Sequence, residues 1–170
     1  LSTKRIAIIS TGGTIEKTYD QLAGVLSNRV SVLDVMLAKL ELGNIEIVRL
    51  PLMNKDSTDM SEADHRLIAR TAMSMAEAHD GVIIVHGTDT LTVTGETCVE
   101  LIPELAVPII LTGAMRPYAL RTTDAMQNLT EALLAVQLLS AGVYVAMQNT
   151  VLQFPGVVKD RENQRFVKPA

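Results

Sequence analysis

The 170-residue chain has no tryptophan, two phenylalanines and three tyrosines, so aromatic residues make up only 3% of it. That leaves no platform on which nucleobases or sugar rings would stack. The single cysteine, Cys98, excludes an intrachain disulfide framework and suits a reducing compartment, so the expectation is a cytoplasmic protein. Cys98 falls in the helix-like stretch 94–102 and reads as a small packed apolar residue rather than a nucleophile. Excess positive charge is missing too: the formal net charge is −4, which disfavours a nucleic-acid partner. No apolar run reaches the length of a membrane span, and the opening Leu-Ser-Thr-Lys-Arg leads into a strand pattern rather than a signal sequence. No grouping of His, Cys and Asp has metal-ligand spacing. The Gly-x-x-x-x-Gly-Lys-Ser/Thr phosphate loop is absent, and Gly12-Gly13 falls short of Gly-x-Gly-x-x-Gly. Neither a metal nor a cofactor is expected.

What is present is apolar. Hydrophobic residues make up 48% of the chain, enough for a sizeable core in one domain covering 1–170. Apolar, β-branched runs recur at 5–9, 45–50, 81–85, 108–112 and 142–147. Helical patterns separate them, which predicts an α/β fold of the Rossmann-like, flavodoxin-like kind: a doubly wound, mainly parallel sheet. Ser31-Val32-Leu33-Asp34 has capping-box form, and Leu33, Met36, Leu37 and Leu40 share a helical face ahead of Gly43. Ser61-Glu62-Ala63-Asp64 gives the same start signal for a helix to about residue 79, with His65 exposed near its start and His79 near its C-terminus. A third stripe, Ala125, Leu129, Ala132, Val136 and Leu139, marks a helix over 124–139. The polar stretch after Asp160 is open between an edge hairpin, a tail and the start of a further segment.

Chemistry concentrates in the loops that follow the strands. Ser10-Thr11-Gly12-Gly13-Thr14-Ile15-Glu16 follows the first, and two adjacent glycines there allow a sharp turn that exposes a hydroxyl beside bare amides. The other loops carry Asn54 to Met60, His86-Gly87-Thr88-Asp89-Thr90 and Gly113-Ala114-Met115-Arg116-Pro117. In a doubly wound sheet, loops at the carboxyl ends of the strands converge on one crevice. Thr14 and Thr88 are then candidate nucleophiles, each needing a base to take its proton. Asp89 adjoins Thr88. Lys159 has two readings, a surface lysine after Val157-Val158 or a proton-transfer group buried against a carboxylate. His86 reads as an imidazole that satisfies backbone groups at a strand end. Asp56 and Asp59 are candidates either for binding an ammonium group or for capping the next helix.

Ile8-Ile9-Ser10-Thr11-Gly12-Gly13-Thr14-Ile15 and Val85-His86-Gly87-Thr88-Asp89-Thr90 resemble the two signature segments of bacterial-type L-asparaginases. Asp56-Ser57-Thr58-Asp59-Met60, Thr112-Gly113-Ala114-Met115-Arg116-Pro117 and Asn149-Thr150-Val151-Leu152 resemble that family's intervening blocks, in the family's order. The resemblance implies hydrolysis of a side-chain amide to a carboxylate and ammonia. It makes Thr14 the nucleophile, with Tyr19 in a mobile loop closing over it. Thr88, Asp89 and Lys159 become a polar triad that handles protons and fixes the substrate. Gly13, Ser57, Thr58, Thr88, Asp89 and Ala114 become substrate-binding positions: Ser57 for the α-carboxylate, Asp89 for the α-ammonium, Ala114 for backbone contact near the scissile amide. The order of attack between Thr14 and Thr88 stays open, with Thr14 favoured because a lid tyrosine can orient and desolvate it. Two departures stand out: the 14–19 loop is short, and Thr58 occupies a position where glutamine is common. The expected partner is a small amino-acid substrate, with no nucleic acid and no membrane. Family members usually continue into a second, smaller domain near where this sequence stops. The expectation is therefore a homodimer or higher oligomer, with surfaces at 73–78 or 133–139 as candidate interfaces.

Overall fold

Five apolar, β-branched runs form five parallel strands; the four inner ones are near-continuous because they are buried on both faces, whereas the run at 45–50, which carries Glu46 and Arg49, forms a partly exposed edge. In the computed structural model, which describes residues 2–28 and 31–170, the elements run in order as follows. β1 (Lys4–Gly12) ends in a short 3-10 turn, Thr14–Glu16, and leads into a small hairpin of β2 (Thr18–Asp20) and β3 (Val25–Ser27). After α1 (Leu33–Leu37) come β4 (Ile45–Lys55), α2 (Glu62–Ala76), β5 (Gly81–Val85), α3 (Leu91–Leu101) and β6 (Pro108–Thr112). The chain continues through α4 (Ala125–Leu138), β7 (Gly142–Met147), β8 (Thr150–Gln153) and a terminal hairpin of β9 (Val158–Asp160) and β10 (Arg165–Val167).

The main sheet has the order β4-β1-β5-β6-β7-β8, parallel up to β7, with β8 antiparallel at the edge. Its parallel part has the flavodoxin-like order 2-1-3-4-5, in which connections diverge to opposite faces between the first and third strands. Alternate residues of β1 show this: Ala7 and Ile9 pack with Ile68 of α2 and Cys98 of α3, whereas Ile6 and Ile8 pack with Met36 of α1 and Leu129 of α4. The switch point lies between β1 and β5, and the two signature turns leave the carboxyl ends of those strands.

Several local expectations are corrected. Val32, not Ser31, immediately precedes α1 and makes no side-chain bond; the Ser31 hydroxyl donates to the Glu16 carboxylate while its oxygen accepts from the Leu33 amide at 3.4 Å. The helix is accordingly one short stretch followed by turns through Leu40. Ser61 and Asp64 do form a capping box on α2, but that helix ends at Ala76, and His79 Nδ1 beyond it donates to the Met75 carbonyl of the last turn. His65 is buried, not exposed, since it faces α3. The segment after Asp160 returns as β10, and its Phe166 joins the core. The β2–β3 hairpin and edge strand β8 were not read from sequence at all.

Candidate active site

The glycines assemble the site before any side chain does. Gly12 and Gly13 have φ of +103° and +84°, a region L-residues rarely occupy, and the Gly13 amide donates to the Lys55 carbonyl at 2.8 Å. A Cβ on Gly13 would overlap the backbone of Gly87, one on Gly87 would overlap the Ser57 side chain, and one on Gly113 would overlap the His86 carbonyl. The loops after β1, β4, β5 and β6 are therefore in direct contact, and Thr14, Ser57, Thr88 and Ala114 follow or adjoin those contacts.

Thr88 is the best-supported hydroxyl. It is 5% exposed, and Lys159 Nζ donates to its Oγ1 at 2.8 Å. The same ammonium donates to Asp89 Oδ1 at 2.9 Å, and Arg161 donates to that oxygen at 2.9 Å. The Lys159 side chain is only 9% exposed, so the surface reading of this lysine is overturned: the β9–β10 hairpin folds it inward across 70 residues of sequence from Asp89. Asp89 is held below the usual carboxylate range, first by its hydrogen bond from Lys159, which outweighs the opposing effect of burial, and then by the charges of Lys159 and Arg161. Among the described residues no hydrogen bond engages Asp89 Oδ2.

Thr14 differs. It is half-buried in the 3-10 turn, and among the described residues no side-chain hydrogen bond engages its hydroxyl. Tyr19, on β2, is 60% exposed. Among the described residues, several contacts tie down the base of the hairpin that carries it. Lys17 pairs with Asp56 at 2.6 Å, Asn28 Nδ2 donates to the Gly13 carbonyl at 2.7 Å, and Asn54 Nδ2 donates to the Asn28 carbonyl at 2.9 Å. The Lys17 contact lowers Asp56 to about 2. Beneath the turn, Glu16 is buried and its pKa is raised chiefly by desolvation, with the Ser31 hydroxyl and Arg49 opposing.

Of the remaining positions, Ser57 is buried against Gly87, and its carbonyl accepts from Thr90 Oγ1 at 2.9 Å. Thr58 is exposed, and both its amide and hydroxyl donate to Asp56 Oδ1, so Asp56 caps this turn rather than α2. Ala114 is fully buried in a turn clamped from behind. Asp124 accepts from the amides of Met115 and Arg116 at 3.0 Å each, and Asn128 Nδ2 donates to the Gly113 carbonyl at 2.9 Å. Asp124, Asn128 and Arg161 were missed as supporting residues. The Asp-x-x-x-Asn spacing, one helical turn on a single face, was the available signal for the first two. Among the described residues no group of three or more His, Cys, Asp or Glu side chains could hold a metal, and no helix is long and apolar enough to cross a membrane.

Residues 5–165 match the protein-family model described as asparaginase, N-terminal. An L-asparaginase of Thermococcus kodakarensis is 29% identical over 87% of this chain and 45% of its own length. A subunit of the glutamyl-tRNA(Gln) amidotransferase of Methanosarcina barkeri is 33% identical over 86% of this chain and 35% of its own. Among solved structures, the thermostable T. kodakarensis L-asparaginase superposes with a TM-score of 0.86 at 28% identity, covering 96% of this chain and 51% of that one. A probable cytoplasmic L-asparaginase from Campylobacter jejuni gives 0.76 at 31% identity, over 98% and 52%. The chain thus spans about half the length of these L-asparaginases and about a third of the amidotransferase subunit.

Proposed function

Since the chain belongs to the asparaginase family, we propose that it is an amidohydrolase that converts L-asparagine to L-aspartate and ammonia through a threonine nucleophile, Thr14. The observation that carries this reading is Lys159, an inward-facing ammonium bonded at once to Thr88 Oγ1 and Asp89 Oδ1. A binding domain needs the carboxylate but not a lysine on a second hydroxyl. A hydroxyl that accepts from an ammonium becomes a stronger donor through its own proton.

Thr14 Oγ attacks the side-chain amide carbon while Tyr19 closes over it, and the developing oxyanion is met by backbone amides near Ala114. The C–N bond then breaks. The leaving nitrogen takes up the proton that Thr14 gave up, relayed through the Thr88 hydroxyl whose oxygen the Lys159 ammonium holds, and departs as ammonia. Water cleaves the Thr14 ester, releasing aspartate and restoring the hydroxyl. Asp89 Oδ2 is the acceptor for the substrate's α-ammonium, and Ser57 with neighbouring amides holds its α-carboxylate. Gly13 and Thr58 line the approach. No cofactor takes part.

A homo-oligomer and a cytoplasmic location belong to the same reading. The apolar side chains Leu134 and Leu138 stand 57% and 73% exposed on α4, and a buried free thiol at Cys98 suits a reducing medium. A second reading, hydrolysis of a glutamine side-chain amide, is favoured by the similarity to amidotransferase subunits. Ammonia release by the purified chain with asparagine and with glutamine tests both. Faster release from asparagine is expected, faster release from glutamine selects the second reading, and none from either overturns amide hydrolysis.

A further inference from the structure

Behind the Thr88 turn lies a buried polar chain that the proposed chemistry does not use. His86 follows β5, Thr94 sits on α3 and His65 on α2, and they are 0%, 0% and 5% exposed. Their side chains meet end to end. His65 Nδ1 is 2.7 Å from Thr94 Oγ1, Thr94 Oγ1 is 2.7 Å from His86 Nε2, and His86 Nδ1 is 2.7 Å from the Gly87 carbonyl oxygen. The two rings stack at 13° with centroids 5.9 Å apart. We propose that these three side chains form a one-way hydrogen-bond chain that positions the Gly87–Thr88 peptide, with both imidazoles held as the Nδ1–H tautomer.

Direction follows from the number of protons each group owns. A carbonyl oxygen only accepts, so His86 Nδ1 carries a proton. Burial pushes His86 down to about 4, so near neutral pH that proton is the ring's only one and Nε2 is an acceptor. Thr94 has one hydroxyl proton, and it is spent on Nε2. Its oxygen can then only accept from His65, whose Nδ1 must donate. His65 is lowered too, chiefly by burial, with Asp64 opposing. Each buried polar atom along the path from His65 Nδ1 to the Gly87 oxygen is satisfied in this order and in no other with neutral rings.

The consequence reaches the site through one peptide plane. A trans peptide directs its C=O and N–H oppositely, so drawing the Gly87 oxygen back onto His86 turns the Thr88 N–H away from the imidazole. Gly87 is also the residue against which Gly13 and Ser57 pack, so its placement sets the spacing of three of the four loops. At the far end, Asp64 beside His65 binds Lys55 at 2.9 Å, and the Lys55 carbonyl is the acceptor for the Gly13 amide. His65, Thr94 and His86 act through Gly87 and are positioning residues. Only the kinetic consequence rests on the amidohydrolase reading; the tautomers do not.

Long-range 1H–15N correlation spectra of the whole chain near neutral pH test the proposal. Nδ1 protonated and Nε2 bare in both His86 and His65 is the expected result, and an Nε2–H tautomer on either ring overturns it. Thr94→Val removes the hydroxyl with little change in volume, and Thr94→Ser keeps it. The valine variant is expected to lose the fixed tautomers, to shift the Gly87 and Thr88 amide signals, and to drop kcat about tenfold or more with KM little changed, while serine restores all three. A valine variant with unmoved Gly87 and Thr88 signals overturns the positioning role. Should the unaltered chain hydrolyse no amide, the functional reading fails, and the tautomers and backbone signals still decide this one. Should the valine variant not fold, the unaltered chain and the serine variant decide it.

Discussion

Thr14 and Thr88 both follow a glycine at the end of a central strand, yet the molecule treats them differently. Thr88 is buried, bonded to an ammonium, and backed by an ion pair and two helices. Thr14 lies in a 3-10 turn with a hydroxyl unengaged among the described residues, next to a hairpin whose tyrosine stands in solvent. In the proposed site, one half is built by folding and the other is left for a substrate to complete. Such a division suits an enzyme that must admit a zwitterion and then exclude water: the fixed half supplies preorganised charge, and the movable half supplies enclosure.

The sharpest way to break this contrast is to remove each hydroxyl's function and watch stability alongside turnover. Thr14→Ala should lower kcat at least about a thousandfold while leaving the melting temperature and aspartate binding nearly unchanged. Lys159→Met should lower kcat about a hundredfold to ten-thousandfold and also destabilise the fold by about 1–3 kcal/mol, seen in denaturant unfolding. That is less than the 3–5 kcal/mol typical when a fully buried pair is split, because Arg161 stays on Asp89 Oδ1 and Asp89 remains partly in water. Equal stability losses for the two variants would erase the distinction. Tyr19→Phe should cost about tenfold in turnover, with no change in unfolding, since its ring stands in solvent and would meet the site only in the proposed closed form.

The smallest effects concern pH, and they have opposite signs in the two halves. Asp89 has its folded pKa lowered, so the stability it contributes is present above the ordinary carboxylate value and is lost as pH falls through the lowered one. Glu16, beneath Thr14, has its folded pKa raised by burial, so its contribution is full below the ordinary value of 4.5 and is lost as pH rises through the raised one. Glu16→Gln, which mimics the protonated acid, should therefore stabilise the chain near neutral pH by about 1 kcal/mol or less and flatten that limb of the stability curve. Unchanged pH dependence of unfolding in this variant would remove Glu16 from the account.

The same contrast explains what the sequence could reveal. The four inner parallel strands were legible because burial on both faces leaves a continuous apolar signature, as in Gly81–Val85. The three-residue strands β2, β3 and β9 were not, being short ribbons with no buried residue and no such run. Ser31 satisfied a local capping rule and its oxygen does accept from the Leu33 amide, but its proton goes to a buried carboxylate 15 residues away. His65 looked like a first-turn surface residue, and its burial depends on Thr94, 29 residues on in another helix. Lys159 was located through the family's block order, since no rule of periodicity places an ammonium against a hydroxyl 71 residues earlier. Positions set by glycine turns were readable, whereas partners set by tertiary packing were not.

A crystal structure of the chain with L-aspartate bound tests the central claim most directly. The account predicts the α-ammonium on Asp89, the side-chain carboxylate between the Thr14 and Thr88 hydroxyls, and the Tyr19 hairpin closed over it, with Thr88, Asp89 and Lys159 unmoved. Aspartate bound elsewhere, or a rearranged Thr88–Asp89–Lys159 cluster beneath an unmoved hairpin, would contradict it.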